Sequence, residues 1–114
     1  MTARKLMTIN GLVKESYAIA ECHGWHSIVT SFPERLCLIH SEVSEALEDF
    51  RNGREPMSIY YENKKPCGIP IELADVLIRI ADLCAIYDID IAEAILIKQE
   101  YNRGRPILHG GKKL

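Results

Sequence analysis

Residues 71–87 read IELADVLIRIADLCAIY and form a long, mostly apolar segment of the chain. Thirteen of its seventeen residues are apolar, which predicts a helix that is apolar around most of its circumference and therefore buried. The four charged residues share one narrow stripe, because helical residues are spaced at about 100°. They are Glu72, Asp75, Arg79 and Asp82. Buried carboxylates are costly unless a positive group meets them, and at Glu72 and Asp75 we expect a divalent cation.

A second helix is predicted over residues 31–51. Ser31 and Glu34 have capping-box spacing at its start, and Asn52 and Gly53 end it. One face repeats apolar residues at helical spacing and is expected to pack in the core. It consists of Leu36, Ile39, Val43, Leu47 and Phe50. A second stripe, offset from this face, is acidic and consists of Glu42, Glu45 and Asp49, whereas Glu48 points elsewhere.

Two further helices complete an all-α fold, which we expect to be a four-helix bundle-like single domain over residues 1–114. One helix is predicted over residues 9–23, and the other begins after a cap at Asp88 or Asp90 and reaches Asn102. Pro70 suits the first turn of the central helix. The connection over residues 53–69 has no sustained period, and within it residues 59–61 fit either a short strand or a helical turn. Residues 103–114 form a basic tail, predicted to be extended or flexible.

Composition excludes several classes of protein. Apolar residues make up 47% and charged residues 26% of the 114 residues, as in ordinary globular domains. There is no apolar run of membrane-spanning length and no apolar segment of signal-peptide length at the start, so we expect a cytoplasmic protein without membrane partners. Residues 98–114 carry +4 and the rest −6, which disfavours duplex nucleic acid as a partner. The four cysteines lack CxxC spacing and are expected to be buried free thiols.

The two central helices each carry a pair of acids three residues apart. These pairs are Glu42 with Glu45 and Glu72 with Asp75. If the helices pack antiparallel, four carboxylates face one another, and oxygen ligands of this kind are what Mg²⁺ prefers. An acidic stripe alone is more often solvated surface, but two facing pairs favour a metal site. Arg79 lies one turn from Asp75 and is expected to pair with Asp75 or Asp82 within the chain, with a phosphate contact as its alternative role.

The segments LIHSEVSEALEDFRNG (38–53) and IPIELADVLIRIADLC (69–84) resemble the MazG-like, all-α nucleoside triphosphate pyrophosphohydrolases. The signature of that family is ExxE, a spacer and ExxD, and here 26 residues separate the motifs. The tail KQEYNRGRPILHGGKKL (98–114) is also similar. Many relatives have a further Glu directly before the first motif acid, where this chain has Ser41.

The resemblance implies an activity, a cofactor and an assembly. The activity is hydrolysis of (deoxy)nucleoside triphosphates to the monophosphate and pyrophosphate, with water attacking the α-phosphorus. The cofactor is Mg²⁺, or Mn²⁺ in its place, and the assembly is an interlocked homodimer or homotetramer. The residues implied as both metal ligands and catalytic groups are Glu42, Glu45, Glu72 and Asp75. Apolar faces that exceed what one short chain can cover independently favour a homo-oligomer.

Four residues are candidates for substrate binding. Lys98, Asn102 and Arg105 would contact phosphates, since lysine offers a point charge and arginine a forked one. Their alternative role is surface polarity that complements the helix dipole. Trp25, the only tryptophan, would stack on a ligand or, alternatively, fill the edge of the core.

Two other interpretations compete with the hydrolase. The first is a non-catalytic helical assembly module that keeps the fold, and Mg²⁺-dependent release of pyrophosphate separates the two. The second is a di-iron carboxylate protein, which normally uses Glu-x-x-His pairs. No histidine follows Glu42, Glu45 or Glu72 at that spacing, so this interpretation is disfavoured.

Overall fold

The computed structural model describes residues 6–28 and 30–106, which form four helices and one small sheet. The helices are α1 (Ile9–Cys22), α2 (Phe32–Arg51), α3 (Ile69–Ile86) and α4 (Ile91–Arg103), and a 3₁₀ turn (Trp25–Ser27) follows α1. The strands are β1 (Tyr60–Glu62) and β2 (Lys65–Cys67). This mostly helical architecture agrees with the predicted all-α class. The predicted tail lies outside the described residues from residue 107 onward.

The helix ends lie where the capping residues predict them. The Ser31 side chain accepts a hydrogen bond from the backbone N–H of Glu34, and the Glu34 side chain accepts one from the backbone of Ser31, which completes the capping box of α2. Asp90, rather than Asp88, caps α4 and accepts a hydrogen bond from the N–H of Glu93 at 3.0 Å. Local side-chain chemistry therefore sets these boundaries. None of the described helices is long and apolar enough to cross a bilayer.

Helix α3 lies between α1 and α2 and packs against both. It runs antiparallel to α2, because the start of α2 meets the end of α3. Phe32 contacts Tyr87 edge to face there, with ring centroids 4.9 Å apart. The buried apolar side chains are small or medium in size, and most belong to α3: Ala20, Ala46, Ile69, Ala81, Leu83 and Cys84.

The predicted core face of α2 is wrong for the single chain. Leu47 and Phe50 are 58% and 59% exposed, and Leu36 and Val43 are exposed as well. Only Ile39 of the predicted face is half-buried. The side of α2 that meets α3 is instead the stripe Arg35, Ile39, Glu42, Ala46 and Asp49, all of it buried or half-buried. In this orientation of α2, Glu42 pairs with Arg79 of α3 across the helix contact.

Other apolar surfaces are also open. Helix α3 is predicted to be buried around most of its circumference, yet Leu73 and Leu77 are about half exposed. Exposed apolar side chains on α4 include Leu96, Ile97 and Tyr101. All four cysteines are free as predicted, but only Cys84 is buried, while Cys22 and Cys37 are exposed and Cys67 is half-buried. A single chain thus leaves much apolar surface in water.

A β-hairpin occupies the long connection between α2 and α3. Strands β1 and β2 pair antiparallel, with Glu62 opposite Lys65. The two turn residues, Asn63 and Lys64, both have positive φ, at 50° and 68°, as a two-residue hairpin turn requires. Residues 60–62 are therefore a strand, which decides between the two alternatives for this segment.

Gly68 joins the hairpin to α3 in a conformation that only glycine adopts readily. Its φ is 119° and its ψ 168°. A Cβ atom at this position would lie 2.3 Å from the backbone oxygen of Ser58, so the chain before β1 packs directly against this residue. The hairpin is consequently held against the start of α3.

We expect Gly68→Ala to lower the free energy of unfolding by about 3 kcal/mol or more, because it combines backbone strain with a backbone clash. Gly53→Ala is the matched control. Gly53 also has positive φ, at 90°, but a Cβ atom there would have no neighbouring atom within 4 Å. Strain alone should cost this variant about 1–2 kcal/mol. Urea unfolding measures both values, and equal losses would contradict the Ser58 contact.

Candidate metal centre and adjoining cleft

Three of the four predicted metal ligands lie together between α2 and α3. Glu42, Glu45 and Glu72 each offer a carboxylate oxygen, and these oxygens lie within 4.8 Å of one another. We call these three residues the carboxylate cluster. Glu42 is only 8% exposed, Glu72 is half-buried and Glu45 is exposed. The donors are all carboxylate oxygens, which suits a hard dication such as Mg²⁺.

The crowding of these acids is visible in the protonation of Glu72. Burial raises its pKa, as do a hydrogen bond with Glu45 and the charges of Glu45, Asp75 and Glu42, so that the pKa reaches about 7. A carboxyl group with this pKa is substantially protonated near neutral pH, because the surrounding negative charges disfavour its ionised form. The cluster therefore carries excess negative charge. Either a proton or a bound cation can neutralise it.

Arg79 supplies one positive charge to this site, but its partner differs from the prediction. Its Nε donates a hydrogen bond to Oε1 of Glu42 at 2.7 Å. The sequence predicts an internal partner, Asp75 or Asp82. The observed partner is Glu42 because α3 turns its charged stripe toward the acidic stripe of α2. A contact between two helices cannot be derived from spacing within one of them.

Asp75, the fourth predicted ligand, does not belong to the carboxylate cluster. It is half-buried and lies one helical turn beyond Glu72 on α3. Burial and the Glu42 carboxylate raise its pKa, against the lowering effect of the Arg79 and Lys65 charges. Asp75 therefore lies beside Glu42 rather than at the centre of the cluster.

A cleft of about 620 Å³ adjoins the cluster and shares Glu42 with it. Its volume falls in the range of about 300–1,000 Å³ that is usual for small-molecule sites. Most of its wall is apolar and comes from Leu12, Ile19, Trp25, Ile28, Leu38 and Ile78. Its charged wall includes Glu42, Asp75, Arg79 and Asp82. A ligand with one apolar and one ionic end would match this lining.

Trp25 lies in this cleft and not in the core. Its side chain is 55% exposed, and its ring packs against that of His23 with centroids 5.1 Å apart. Of the two predicted roles, filling the edge of the core is therefore not observed in the single chain. The exposed indole face is available for stacking.

The other three predicted substrate contacts are not brought to the cleft. Lys98 and Arg105 lie near the ring of Tyr101, at 4.8 Å and 5.7 Å from its centroid. Asn102 is exposed on the same helix, α4, which packs against α1. None of the three lines the cleft of this chain.

Sequence reasoning missed two basic residues near the site. Arg35 lines the cleft, and its Nε is buried without a hydrogen-bond partner among the described residues. Lys65 on β2 is close enough to Asp75 to affect its pKa. The position of Arg35 follows from the stripe it shares with Ile39 and Glu42. The position of Lys65 depends on the hairpin, which no helical pattern indicates.

His26 links two helices at the edge of the cleft. Its Nδ1 lies 2.6 Å from Glu21 and its Nε2 lies 2.8 Å from Asp82, so it joins α1 to α3. Burial lowers the pKa of His26, but the hydrogen bonds and charges of Glu21 and Asp82 outweigh this effect and raise it. This bridge holds one wall of the cleft in position.

Comparisons of the chain with protein-family models, with curated proteins and with solved structures find no match.

The raised pKa of Glu72 predicts a pH dependence of stability. Because the folded state holds this proton more tightly than the unfolded chain, the contribution is complete below the ordinary value of 4.5 and is lost as the pH rises through about 7. The metal-free protein should therefore lose melting temperature between about pH 5 and pH 8, and Glu72→Gln should flatten this loss.

Added Mg²⁺ should restore the melting temperature at the upper end of this range, since a bound cation replaces the proton. Glu48→Gln provides the control, because Glu48 is exposed and pairs only with Arg51 at 3.6 Å among the described residues. An unchanged pH profile in Glu72→Gln would contradict the assignment to Glu72.

Proposed function

We propose that this protein hydrolyses (deoxy)nucleoside triphosphates to the nucleoside monophosphate and pyrophosphate, with Mg²⁺ held by the carboxylate cluster. The observation that carries the proposal is the cluster itself, three carboxylates within 4.8 Å of one another at the edge of a cleft. The resemblance of residues 38–53 and 69–84 to MazG-like enzymes supports the same reaction.

The donor set fits the proposed cation. The cluster oxygens belong to Glu42, Glu45 and Glu72, and the raised pKa of Glu72 reflects a local deficit of positive charge. Mg²⁺ bound there would supply charge for the phosphates and lower the pKa of a water molecule. Mn²⁺ takes the same oxygen ligands and is a second candidate.

The charged side chains around the proposed metal ion have different proposed roles. Arg79 holds the buried Glu42 in place through the 2.7 Å hydrogen bond, so that the other carboxylate oxygen stays oriented. Asp75 is half-buried beside Glu42, and burial and the Glu42 carboxylate raise its pKa, which makes it a better proton acceptor than an ordinary aspartate. Glu45 is exposed and can reach a ligand from the solvent side.

The cleft supports a nucleoside as the remainder of the substrate. Its apolar wall can cover a base, and the half-exposed Trp25 offers a ring for stacking. The unpaired Nε of Arg35 would gain a hydrogen bond from an acceptor on a ligand bound there. The charged wall lies toward Glu42 and Asp75, where the phosphates would lie.

The exposed apolar faces support an oligomer as part of the same proposal. A second copy that covers Leu47, Phe50 and their neighbours on α2 would remove from water the surface that the single chain leaves open. Lys98, Asn102 and Arg105 do not reach the cleft of their own chain. Their proposed phosphate contacts therefore require that α4 approaches the cleft of a neighbouring copy.

The open apolar surface also suits the competing function, a non-catalytic assembly module. The two functions differ in turnover. A panel of NTPs and dNTPs, each incubated with Mg²⁺ and separated by product, should yield monophosphate and pyrophosphate from at least one nucleotide. Absence of both products from every member of the panel would favour the assembly module.

Substitutions in the cluster should separate its acids from a nearby surface acid. Glu45→Gln and Glu72→Gln preserve side-chain size but remove the charge that holds Mg²⁺, so each should lower kcat by about 10² or more. Steady-state kinetics at saturating Mg²⁺ measure the effect.

Glu48→Gln serves as the control on the same helix as Glu45. Glu48 is exposed, and its charge is screened by water, so kcat should stay within about twofold of the parent value. If Glu48→Gln is as damaging as Glu45→Gln, the assignment of the metal ligands on α2 is wrong.

Light scattering should give a dimeric or tetrameric mass at micromolar concentration. Leu47→Glu places a charge on the exposed apolar face of α2 and should shift the protein toward monomer, because a buried unpaired charge is costly. A mass near 12.9 kDa for the parent protein would refute the proposed oligomer.

A further inference from the structure

The hairpin formed by β1 and β2 is positioned rigidly beside the carboxylate cluster. Only Gly68 separates β2 from α3, and the first turn of α3 contains Glu72. The close approach of Gly68 to Ser58 holds this junction, and β2 packs against α3. At the other end, the Arg54 guanidinium stacks on the ring of Tyr60, 3.6 Å from its centroid. The backbone of β2 is therefore held near the start of α3, beside the cluster.

Lys65 lies on the face of the hairpin that is turned toward the helices. Side chains alternate along a strand, so Lys65 and Cys67 share one face and Pro66 lies on the other. Cys67 and its cross-strand partner Tyr60 are both half-buried, whereas Pro66 is exposed. The strand register thus places Lys65, which is itself exposed, on the same face as these two half-buried residues.

The ammonium group of Lys65 is available for a ligand. No carboxylate among residues 6–28 and 30–106 forms an ion pair with it within 4 Å. Its charge nevertheless acts on Asp75, because it partly offsets the rise in the pKa of that carboxyl group. Arg79, by contrast, already donates a hydrogen bond from its Nε to Glu42. Lys65 is therefore a cation near the acids that, like Arg35, has no ion-pair partner in the described part of the chain.

We infer that Lys65 binds the pyrophosphate portion of a metal-bound triphosphate. The inference rests on the function proposed above and adds a phosphate contact supplied by the hairpin. A positive charge beside a cation site weakens cation binding and strengthens the binding of a polyanion held by that cation. Removing Lys65 should consequently weaken the binding of pyrophosphate without weakening the binding of Mg²⁺, which loss of a purely structural role would not do.

The test uses the full chain with Lys65→Met and its neighbour Lys64→Met as the matched control. Lys64 is exposed and belongs to the turn of the same hairpin, so each substitution removes one charge from that hairpin. Titration calorimetry would measure Mg²⁺ binding alone and then inorganic pyrophosphate binding at saturating Mg²⁺.

Lys65→Met should weaken pyrophosphate binding by about 10- to 100-fold, the range for loss of a charge-assisted hydrogen bond. Its affinity for Mg²⁺ should be unchanged or up to a few-fold higher. Lys64→Met should stay within about twofold of the parent for both ligands. Lys65→Arg keeps the charge and should recover most of the pyrophosphate affinity, which guards against a folding defect.

Three results would overturn the inference. These are parental pyrophosphate binding in Lys65→Met, equal losses in both methionine variants, and weakened Mg²⁺ binding in Lys65→Met. Failure of the proposed function is a separate result, because it appears as absence of turnover in the parent protein. If the parent turns over and Lys65→Met binds pyrophosphate normally, only the role of Lys65 is refuted.

Discussion

The structure depends on one contact, the meeting of the acidic sides of α2 and α3. Glu42 is 8% exposed at this contact, although four large apolar side chains are available on another side of α2. Burying carboxylates where apolar residues could pack is unfavourable in itself, because desolvated charges must be neutralised. Arg79 neutralises one of them, and the remaining excess of negative charge is visible in the raised pKa of Glu72.

The same contact accounts for the open apolar surface. When α2 turns its acidic stripe toward α3, its apolar face must point away, and Leu47 and Phe50 become more than half exposed. The small residue Ala46 is buried on the same side of α2 as Glu42. A carboxylate site and an unpaired apolar face are thus two results of one helix orientation. The proposed site and the proposed oligomer would in that case depend on each other.

The hairpin shows how an irregular connection can be as well positioned as a helix. Two residues with positive φ close its turn, and Gly68 allows the chain to pass against the backbone of Ser58. These features need no large hydrophobic contact. They hold β2 at the start of α3, where a strand residue can act beside Glu72 and Asp75.

The helices and most of their ends can be predicted from the sequence alone, because capping and helical periodicity act over only a few residues. Ser31 with Glu34, Asn52 with Gly53, and Asp90 all mark the observed boundaries. The acid pairs were also readable, since residues three apart share a helix face. Helical periodicity shows which residues share a face of a helix, but it does not show which other element that face contacts.

Three features are visible only in the folded chain: the side of α2 that packs on α3, the pairing of Arg79 with Glu42, and the position of Asp75 beside the cluster. Folding alone brings Trp25 into the cleft and Lys65 near the acids. These are contacts between residues far apart in the chain, and each reflects competition between burying apolar surface and neutralising charge. The sequence contains the residues responsible for both effects. Which effect is larger depends on distances between residues that are set only by folding.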